Sequence, residues 1–145
     1  MTTSHANSAR SAALDMSADE FRELGHGLVD RLADYYATLP QRAVTAGEAV
    51  DTIRAELGPR GLPQTGTPAA AVLARAADLV LEHSLHNGHP RFLGYITSSA
   101  TPLGVLADLL AESVNSNVAK WDVAPVATEI ESQALRWLAE LIVDI

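Results

Sequence analysis

Three histidines near the middle of the chain are the residues whose type and spacing first suggest chemistry. His83, His86 and His89 follow one another at steps of three, so the first two would share one helix face and could offer imidazoles to one metal ion. No carboxylate completes a recognisable ligand pattern, and Gly88 would break the face. We therefore predict no metal site and interpret these histidines as helix-end and loop residues, with the helix dipole accounting for His83 and His86.

The other polar groups do not form a recognisable catalytic set. The sequence contains no GxSxG elbow, no phosphate-binding GxGxxG or GxxxxGK loop and no HExxH. Glu129 and Glu131 lie two apart on a predicted helix and point in different directions, which disfavours a cooperating carboxylate pair. Ser98, Ser99 and Thr101 could line a polar pocket, although hydroxyls in a turn more often satisfy nearby backbone groups. These residues do not predict a free-standing nucleophilic enzyme.

Lysine occurs once, because nine of the ten basic residues are arginine and the tenth is Lys120. A reaction that needs a lysine amine must therefore use Lys120 or a group outside this polypeptide.

Helices must position these groups, because apolar residues recur at steps of three and four along most of the chain. The first helix is predicted over 17–39, with a capping box of Ser17 and Glu20 at its start and Pro40 after its end. Four more helices are predicted. The second is short, begins with the capping box of Thr45 and Glu48, and ends at Gly58-Pro59. The third begins at Thr67-Pro68 and stops near Gly88, the fourth begins at Thr101-Pro102, and the fifth begins at Pro125.

Two features interrupt this helical pattern. Gly25 and Gly27 each cost the first helix about 1 kcal/mol relative to alanine, so they either indicate a close neighbour or are simply tolerated. The string HPRFLGYITSSA breaks the periodicity and predicts a loop with at most a short extended piece. The predicted fold is all-α, with the first three helices as one packing unit.

Composition and charge exclude several classes of protein. The chain has 145 residues, 48% apolar and 19% charged, which is typical of one globular domain. It has no cysteine, which rules out disulfides and fits a reducing compartment, so we expect a cytoplasmic location. The net charge of −8 disfavours a nucleic-acid partner, and no apolar run is long enough to span a membrane.

The two ends of the chain carry separate expectations. Residues 1–16 lack an apolar run of signal-peptide length and predict a disordered leader. The last helix runs into the C-terminus as LAELIVDI, an apolar end without a cap, which is typical of a truncation.

The segment from His89 onward resembles a known family. The strings HPRFLGYITSSATPLGVLADLL and NSNVAKWDVAPVATEIESQALRWLAELI are similar to the N-terminal third of the pyridoxal-phosphate-dependent group II amino-acid decarboxylases, which include the aromatic amino-acid and glutamate decarboxylases. The resemblance begins at DEFRELGHGLVDRLADYY and continues to about Ile142. Its most specific parts are His89-Pro90-Arg91-Phe92, Leu106-Ala107-Asp108, and the spacing from Asn115 and Asn117 to Pro125, Thr128, Glu129 and Glu131.

This resemblance implies an activity and an architecture. The family removes the α-carboxylate of an L-amino acid to give an amine and CO2. Residues 17–88 would form a helical domain that packs against the partner subunit of a homodimer, or against a complete decarboxylase subunit. Residues 89–145 would supply a substrate-loop segment and the helices that lead into a large α/β cofactor domain absent from this chain.

The resemblance also implies the substrate-binding residues. Tyr95, Ile96, Thr97 and Ser98 match the family's substrate-lining segment, and residues 117–119 match the segment that enters the pocket from across the dimer. Aromatic-specific members carry bulky apolar residues in both segments. This chain instead has Ser98, Asn117 and Ala119, which favours a smaller or more polar substrate side chain.

The cofactor residues of the family are missing from the chain. In other members of the family, a downstream lysine holds pyridoxal 5'-phosphate as a Schiff base, a histidine stacks on its ring and an acid pairs with its pyridine nitrogen. Lys120 does not match that lysine, and an exposed ammonium is a poor imine former. The resemblance thus implies pyridoxal phosphate in the complete enzyme, with no covalently bound cofactor and no catalytic residue in these 145 residues.

By this interpretation the chain alone is inactive, and two alternatives stay open. The first is a non-catalytic interaction protein that keeps the dimerisation helices and pairs with itself or with a full-length homologue. The second is a fragment without independent function, whose exposed apolar helix faces would make it molten or aggregated.

Overall fold

The computed structural model describes residues 15–58 and 61–143, and within those ranges it is helical. No strand occurs in either range, so the all-α prediction is confirmed and the short extended piece is not found. Residues 1–14, most of the predicted leader, lie outside the described residues. The helices are α1 (Ala18–Thr38), α2 (Val50–Leu57), α3 (Ala69–His83), α4 (Pro102–Val114) and α5 (Pro125–Val143), with 3₁₀ turns at Leu39–Gln41 and Trp121–Val123.

Two helix starts follow the predicted capping chemistry. The hydroxyl of Ser17 accepts a hydrogen bond from the backbone amide of Glu20 at 3.1 Å, which satisfies one of the free amides at the start of α1. At α4 the hydroxyl of Thr101 accepts from the amide of Gly104 at 3.1 Å, and Pro102 is the first helical residue. Side chains close to these amides in sequence therefore define where both helices begin.

The capping box predicted for α2 is wrong. Helix α2 begins only at Val50, several residues after Thr45. The Thr45 hydroxyl instead accepts from the amide of Gly47 at 3.2 Å, and Gly47 has a left-handed backbone with φ of +66°. The carboxylate of Glu48, the other half of the predicted box, lies 2.7 Å from the ring of His83. A contact with a distant helix thus replaces the local one.

Both predicted ends of α3 shift by a few residues. Pro68 occupies the cap position with φ of −54° and ψ of 138°, so the hydroxyl of Thr67 lies one residue too early to cap. The helix ends at His83, well before Gly88, because Ser84 has an extended backbone with φ of −93° and ψ of 161°. Residues 84–101 consequently form a long non-helical connection.

The described chain divides into two compact units between Ser98 and Ser99. The first unit contains α1, α2 and α3, as predicted for the first three helices. Helix α1 packs against α3, where Arg31 forms an ion pair with Asp78 and donates to the carbonyl oxygen of Ala74 at 3.5 Å. The predicted boundary after residue 88, between a dimerisation domain and a substrate-loop segment, stays a prediction.

Helix α2 is joined to α3 by Arg75, which donates to the carbonyl oxygen of Glu56 and lies 3.2 Å from its carboxylate.

A methyl group built on Gly25 or Gly27 would meet no heavy atom within 4 Å. The close neighbour that these glycines of α1 suggested is therefore not found in the part of the chain that the structure describes.

The second unit contains α4, a 3₁₀ turn and α5. Asn115 ends α4 with a left-handed backbone, φ of 48° and ψ of 50°, and its amide donates to the carbonyl oxygen of Ala111 at 2.9 Å. The indole nitrogen of Trp121 donates to the carboxylate of Glu129 at 2.9 Å and so ties the 3₁₀ turn to α5.

Few described side chains are buried, and many apolar ones are exposed. The buried ones are Leu39, Ala77, Ala124, His86 and His89. Extensive exposed apolar surface usually marks a site that another polypeptide, a ligand or a membrane covers. None of the described helices is both long enough and apolar enough to cross a lipid bilayer. The exposed apolar side chains of α4 and α5 are Leu103, Leu106, Leu109, Leu110, Val114, Val126, Ile130, Leu135, Trp137, Leu138, Leu141, Ile142 and Val143.

Candidate functional site

The predicted substrate residues of the first unit form an exposed loop, residues 95–98, which we call the recognition loop. Tyr95 is 86% exposed, Ile96 is fully exposed, and Thr97 and Ser98 are exposed as well. Tyr95 has φ of 57°, a left-handed backbone that costs a non-glycine residue about 1–2 kcal/mol. This backbone turns the chain sharply at the start of the loop.

Two residues before the recognition loop make its entry tight. The ring of Phe92 lies 3.1 Å from where a Cβ atom would stand on Gly94, so only glycine leaves this ring undisturbed. The ring centroids of Phe92 and Tyr95 are 6.3 Å apart and inclined at 41°, within the range of a favourable aromatic pair. The turn therefore holds the Tyr95 ring beside that of Phe92.

The predicted substrate residues of the second unit lie in a turn at 117–119, the Asn117 turn. The side-chain oxygen of Asn117 accepts from the amide of Ala119 at 2.9 Å, so this oxygen already stabilises the turn. Both residues are exposed. Lys120 follows, with its amine 2.7 Å from the carboxylate of Asp122 and its side chain 71% exposed.

A partly buried polar cluster in the first unit holds the chain that leads to the recognition loop. The hydroxyl of Tyr35 lies 3.1 Å from Nδ1 of His86, and the His86 amide donates to the carbonyl oxygen of Val44 at 2.9 Å. Burial raises the pKa of Tyr35 and lowers the pKa of His86, and the nearby positive charge of Arg42 lowers the pKa of His86 further. The two rings thus meet in their neutral forms.

Arg42 is the centre of this cluster. Its guanidinium lies 2.9 Å from the carboxylate of Glu82, and its Nε donates to the hydroxyl of Thr38 at 3.1 Å. It also lies over the ring of Tyr35, 5.3 Å from the centroid, as a cation–π contact. Arg42 thereby joins the end of α1 to the last turn of α3.

His89 is bound on both sides of its ring. Its Nε2 lies 3.1 Å from the carbonyl oxygen of Arg42, and its Nδ1 accepts from the amide of Arg91 at 3.0 Å. Because a carbonyl oxygen only accepts, the proton is on Nε2 and the ring is neutral. His89 is 3% exposed, so water does not compete for either bond.

The three histidines therefore have three separate partners. His83 bonds Glu48, His86 bonds Tyr35, and His89 bonds the backbone at Arg42. The helix-dipole explanation holds for His83 alone, since α3 ends there and His86 lies in the following connection. The described residues contain no group of three or more potential metal ligands.

Sequence reasoning missed this cluster. In the sequence, Tyr35 fits the apolar periodicity of α1, and no motif includes Arg42. The single signal available was the repeated histidine spacing, and it carries no information about partners that lie 47 and 51 residues away.

The chain matches a protein family over most of its length. The family model described as "Pyridoxal-dependent decarboxylase conserved domain" matches residues 52–143. A tyrosine decarboxylase of Oryza sativa subsp. japonica is 36% identical over 139 residues, which are 94% of this chain and 26% of that protein. A phenylacetaldehyde synthase of a Rosa hybrid cultivar is 28% identical over 137 residues, again 94% of this chain and 26% of that protein.

Solved structures agree with these matches. A crystal structure of Oryza sativa TDC with PLP and tryptamine superimposes with a TM-score of 0.76 at 27% identity, covering 90% of this chain and 27% of that one. A Catharanthus roseus tryptophan decarboxylase in complex with L-tryptophan gives a TM-score of 0.73 at 25% identity, covering 86% and 27%. The chain spans about a quarter of the length of the curated relatives it matches.

Proposed function

This chain belongs to the pyridoxal-dependent decarboxylase family, and from that membership we propose that it is the N-terminal part of an enzyme that converts an L-amino acid to an amine and CO2. The carrying observation is the continuous family match over 52–143, which includes both the recognition loop and the Asn117 turn. The rice structure with PLP and tryptamine supports pyridoxal phosphate as the cofactor of the complete enzyme.

The residues of this chain do not fit covalent attachment of pyridoxal phosphate. Imine formation needs a lysine amine that is deprotonated by burial or by a neighbouring positive charge. Lys120 is 71% exposed, and its described neighbour is the negative carboxylate of Asp122 at 2.7 Å. We therefore assign no chemical step to this chain and propose that it is inactive alone.

The proposed share of the chain is a dimer interface and one wall of the substrate pocket. The interface is proposed on residues 17–88, and the exposed apolar faces of α1, α2 and α3 support it, because surfaces of this kind are stable when a second subunit covers them. Their exposed apolar side chains include Phe21, Val50, Val72 and Val80. The proposed partner is a second copy of this chain or a complete decarboxylase subunit. The proposed location is cytoplasmic. A non-catalytic dimerisation protein is the second candidate, which the same apolar faces favour.

The substrate is proposed as an L-amino acid whose side chain lies against the recognition loop. The matched relatives are named for tyrosine decarboxylation and phenylacetaldehyde synthesis, which supports an aromatic side chain. Ser98, Asn117 and Ala119 favour a smaller or more polar one. A substrate panel should therefore include L-tyrosine, L-tryptophan and L-glutamate.

The first experiment uses the 145-residue chain itself. We expect a dimer by light scattering, no imine absorbance band after addition of pyridoxal phosphate, and no amine or CO2 from the panel. An imine band that disappears in Lys120→Met would contradict the proposed inactivity. A heteromer formed with a complete decarboxylase, without change in that enzyme's activity, would favour the non-catalytic candidate.

The second experiment tests the family activity directly. The matching N-terminal quarter of the rice tyrosine decarboxylase is replaced by this chain, with the unmodified rice enzyme as the control. We expect the chimera to be dimeric and to release CO2 only with pyridoxal phosphate. A soluble, dimeric, cofactor-loaded chimera without activity on the whole panel would overturn the proposed function.

A further inference from the structure

We propose that His89 is a positioning residue that fixes where the recognition loop leaves the helical unit. The inference rests on the proposed function in one respect, namely that residues 95–98 contact the substrate. Its structural part, the anchoring of the loop through the backbone at Arg42, stands on the geometry of the first unit alone.

The contact between His89 and Arg42 joins two distant parts of the chain. The ring donates from Nε2 to the carbonyl oxygen of Arg42, which directly follows the 3₁₀ turn at the end of α1. The guanidinium of Arg91 donates to the same oxygen at 3.2 Å. One carbonyl group therefore receives two donors from the segment that precedes the recognition loop.

The segment 86–92 is also folded upon itself. The amide of His89 donates to the carbonyl oxygen of His86, and the amide of Phe92 donates to that of His89, both at 2.9 Å. The amide of His86 is held in turn by the carbonyl oxygen of Val44 at 2.9 Å. These two successive turns therefore fix the position of Phe92 relative to His86 and His89.

The recognition loop itself has little to hold it. Within the part of the chain that the structure describes, no hydrogen bond is formed by residues 94–98, and the ring contact with Phe92 is the interaction of Tyr95. Five residues lie between His89 and Tyr95, and because an extended chain advances about 3.3 Å per residue, these six steps would let Tyr95 reach up to ~20 Å from His89 if the bonds of Arg91 and Phe92 were also lost. The buried ring of His89 limits that movement.

Two substitutions separate the long contact from the local one. In His89→Asn, the side-chain oxygen can still accept from the amide of Arg91, as in an Asx turn, but the side chain is too short to reach the carbonyl oxygen of Arg42. In His89→Gln, the longer side chain places an amide donor near the position of Nε2. The pair differs by one methylene group, so His89→Gln is the matched control.

The measurement is made by NMR on the 145-residue chain without any substrate. In His89→Asn we expect lower backbone order parameters at residues 94–98 and faster exchange of the Phe92 amide, by up to about tenfold, the equivalent of losing one hydrogen bond. Amide protection in α1 and α3 should stay unchanged. In His89→Gln both quantities should return toward the original values.

Three results would overturn the proposal. The first is an unchanged recognition loop in His89→Asn, and the second is a parallel loss of protection throughout α1 and α3, which would make His89 a general stabilising residue. The third is a failure of His89→Gln to restore order while α1 and α3 stay protected, which would exclude the Arg42 contact. None of these measurements depends on decarboxylation, so a failed anchor and a failed decarboxylase assignment are distinguishable.

Discussion

The hydroxyl oxygen of Tyr35 lies 3.1 Å from Nδ1 of His86, so α1 is bonded to the chain that follows α3 across 51 residues of sequence. The two rings also pack together, with centroids 5.4 Å apart. Burial favours the neutral form of both groups, so the bond joins an uncharged hydroxyl to an uncharged imidazole, and the tautomer of His86 decides which of them donates.

Tyr35→Phe tests the energy of this bond. Removal of the hydroxyl leaves Nδ1 of a buried histidine without its partner, and we expect the free energy of unfolding to fall by about 1–3 kcal/mol. Urea denaturation measures the change. Tyr36→Phe is the matched control, because Tyr36 is half-buried like Tyr35 but its hydroxyl forms no hydrogen bond within the described residues. Equal effects of the two substitutions would show that the bond to His86 contributes nothing.

The same histidine predicts a pH dependence of stability. The folded pKa of His86 is lowered, so the unfolded chain binds a proton near the ordinary histidine pKa of about 6.5 while the folded chain does not yet bind one. Stability is therefore full above that pH and is lost as the pH falls toward the lower folded pKa. The charged and titratable groups that influence His86 are Tyr35, Arg42, Glu82 and His89.

Urea denaturation at a series of pH values from roughly 7.5 to 5.5 measures this effect. His86→Gln should flatten the dependence, because the group that titrates is gone. His26→Gln should leave it intact, since His26 is exposed on α1. A slope that survives in His86→Gln would assign the pH dependence to another group.

Thr101→Ala and Thr67→Ala test which threonine caps a helix. The Thr101 hydroxyl bonds the amide of Gly104, and its removal should cost about 1 kcal/mol of unfolding free energy. Thr67 precedes Pro68, which occupies the cap position without a side-chain bond, so its removal should stay within ~0.5 kcal/mol. A larger loss from Thr67→Ala would mean that the hydroxyl caps α3 after all.

Gly94→Ala tests the tight entry of the recognition loop. The added methyl group would stand 3.1 Å from the Phe92 ring, which must then move away from Tyr95. We expect shifted NMR resonances for both rings, with the unfolding free energy changed by less than ~0.5 kcal/mol because the residues involved are mostly exposed. Gly66→Ala is the control, since nothing lies within 4 Å of its added methyl group. Unmoved ring resonances in Gly94→Ala would refute the close packing.

The features that sequence predicted correctly depend on residues close together in the chain. The start of α1 at Ser17 and of α4 at Thr101 follows from a hydroxyl and an amide three residues apart, and α5 begins at Pro125 because proline needs no amide partner there. The helical class follows from the apolar period in the same way.

The features that sequence could not predict depend on distant partners. Glu48 fits a capping box, but its carboxylate bonds His83, which is 35 residues away, and α2 starts only at Val50. The contact between His89 and Arg42 involves a backbone carbonyl oxygen. Because every residue has this group, no residue pattern predicts the contact. The roles of 95–98 and 117–119 came from family resemblance and remain predictions.

The single exposed lysine has a practical consequence. Lys120 offers the one side-chain amine for acylating reagents, and it directly follows the Asn117 turn. An amine-reactive dye would therefore label one known side chain besides the terminal amine, a few ångströms along the chain from Trp121. The fluorescence of such a conjugate would report changes in the surroundings of this turn without any engineered attachment site.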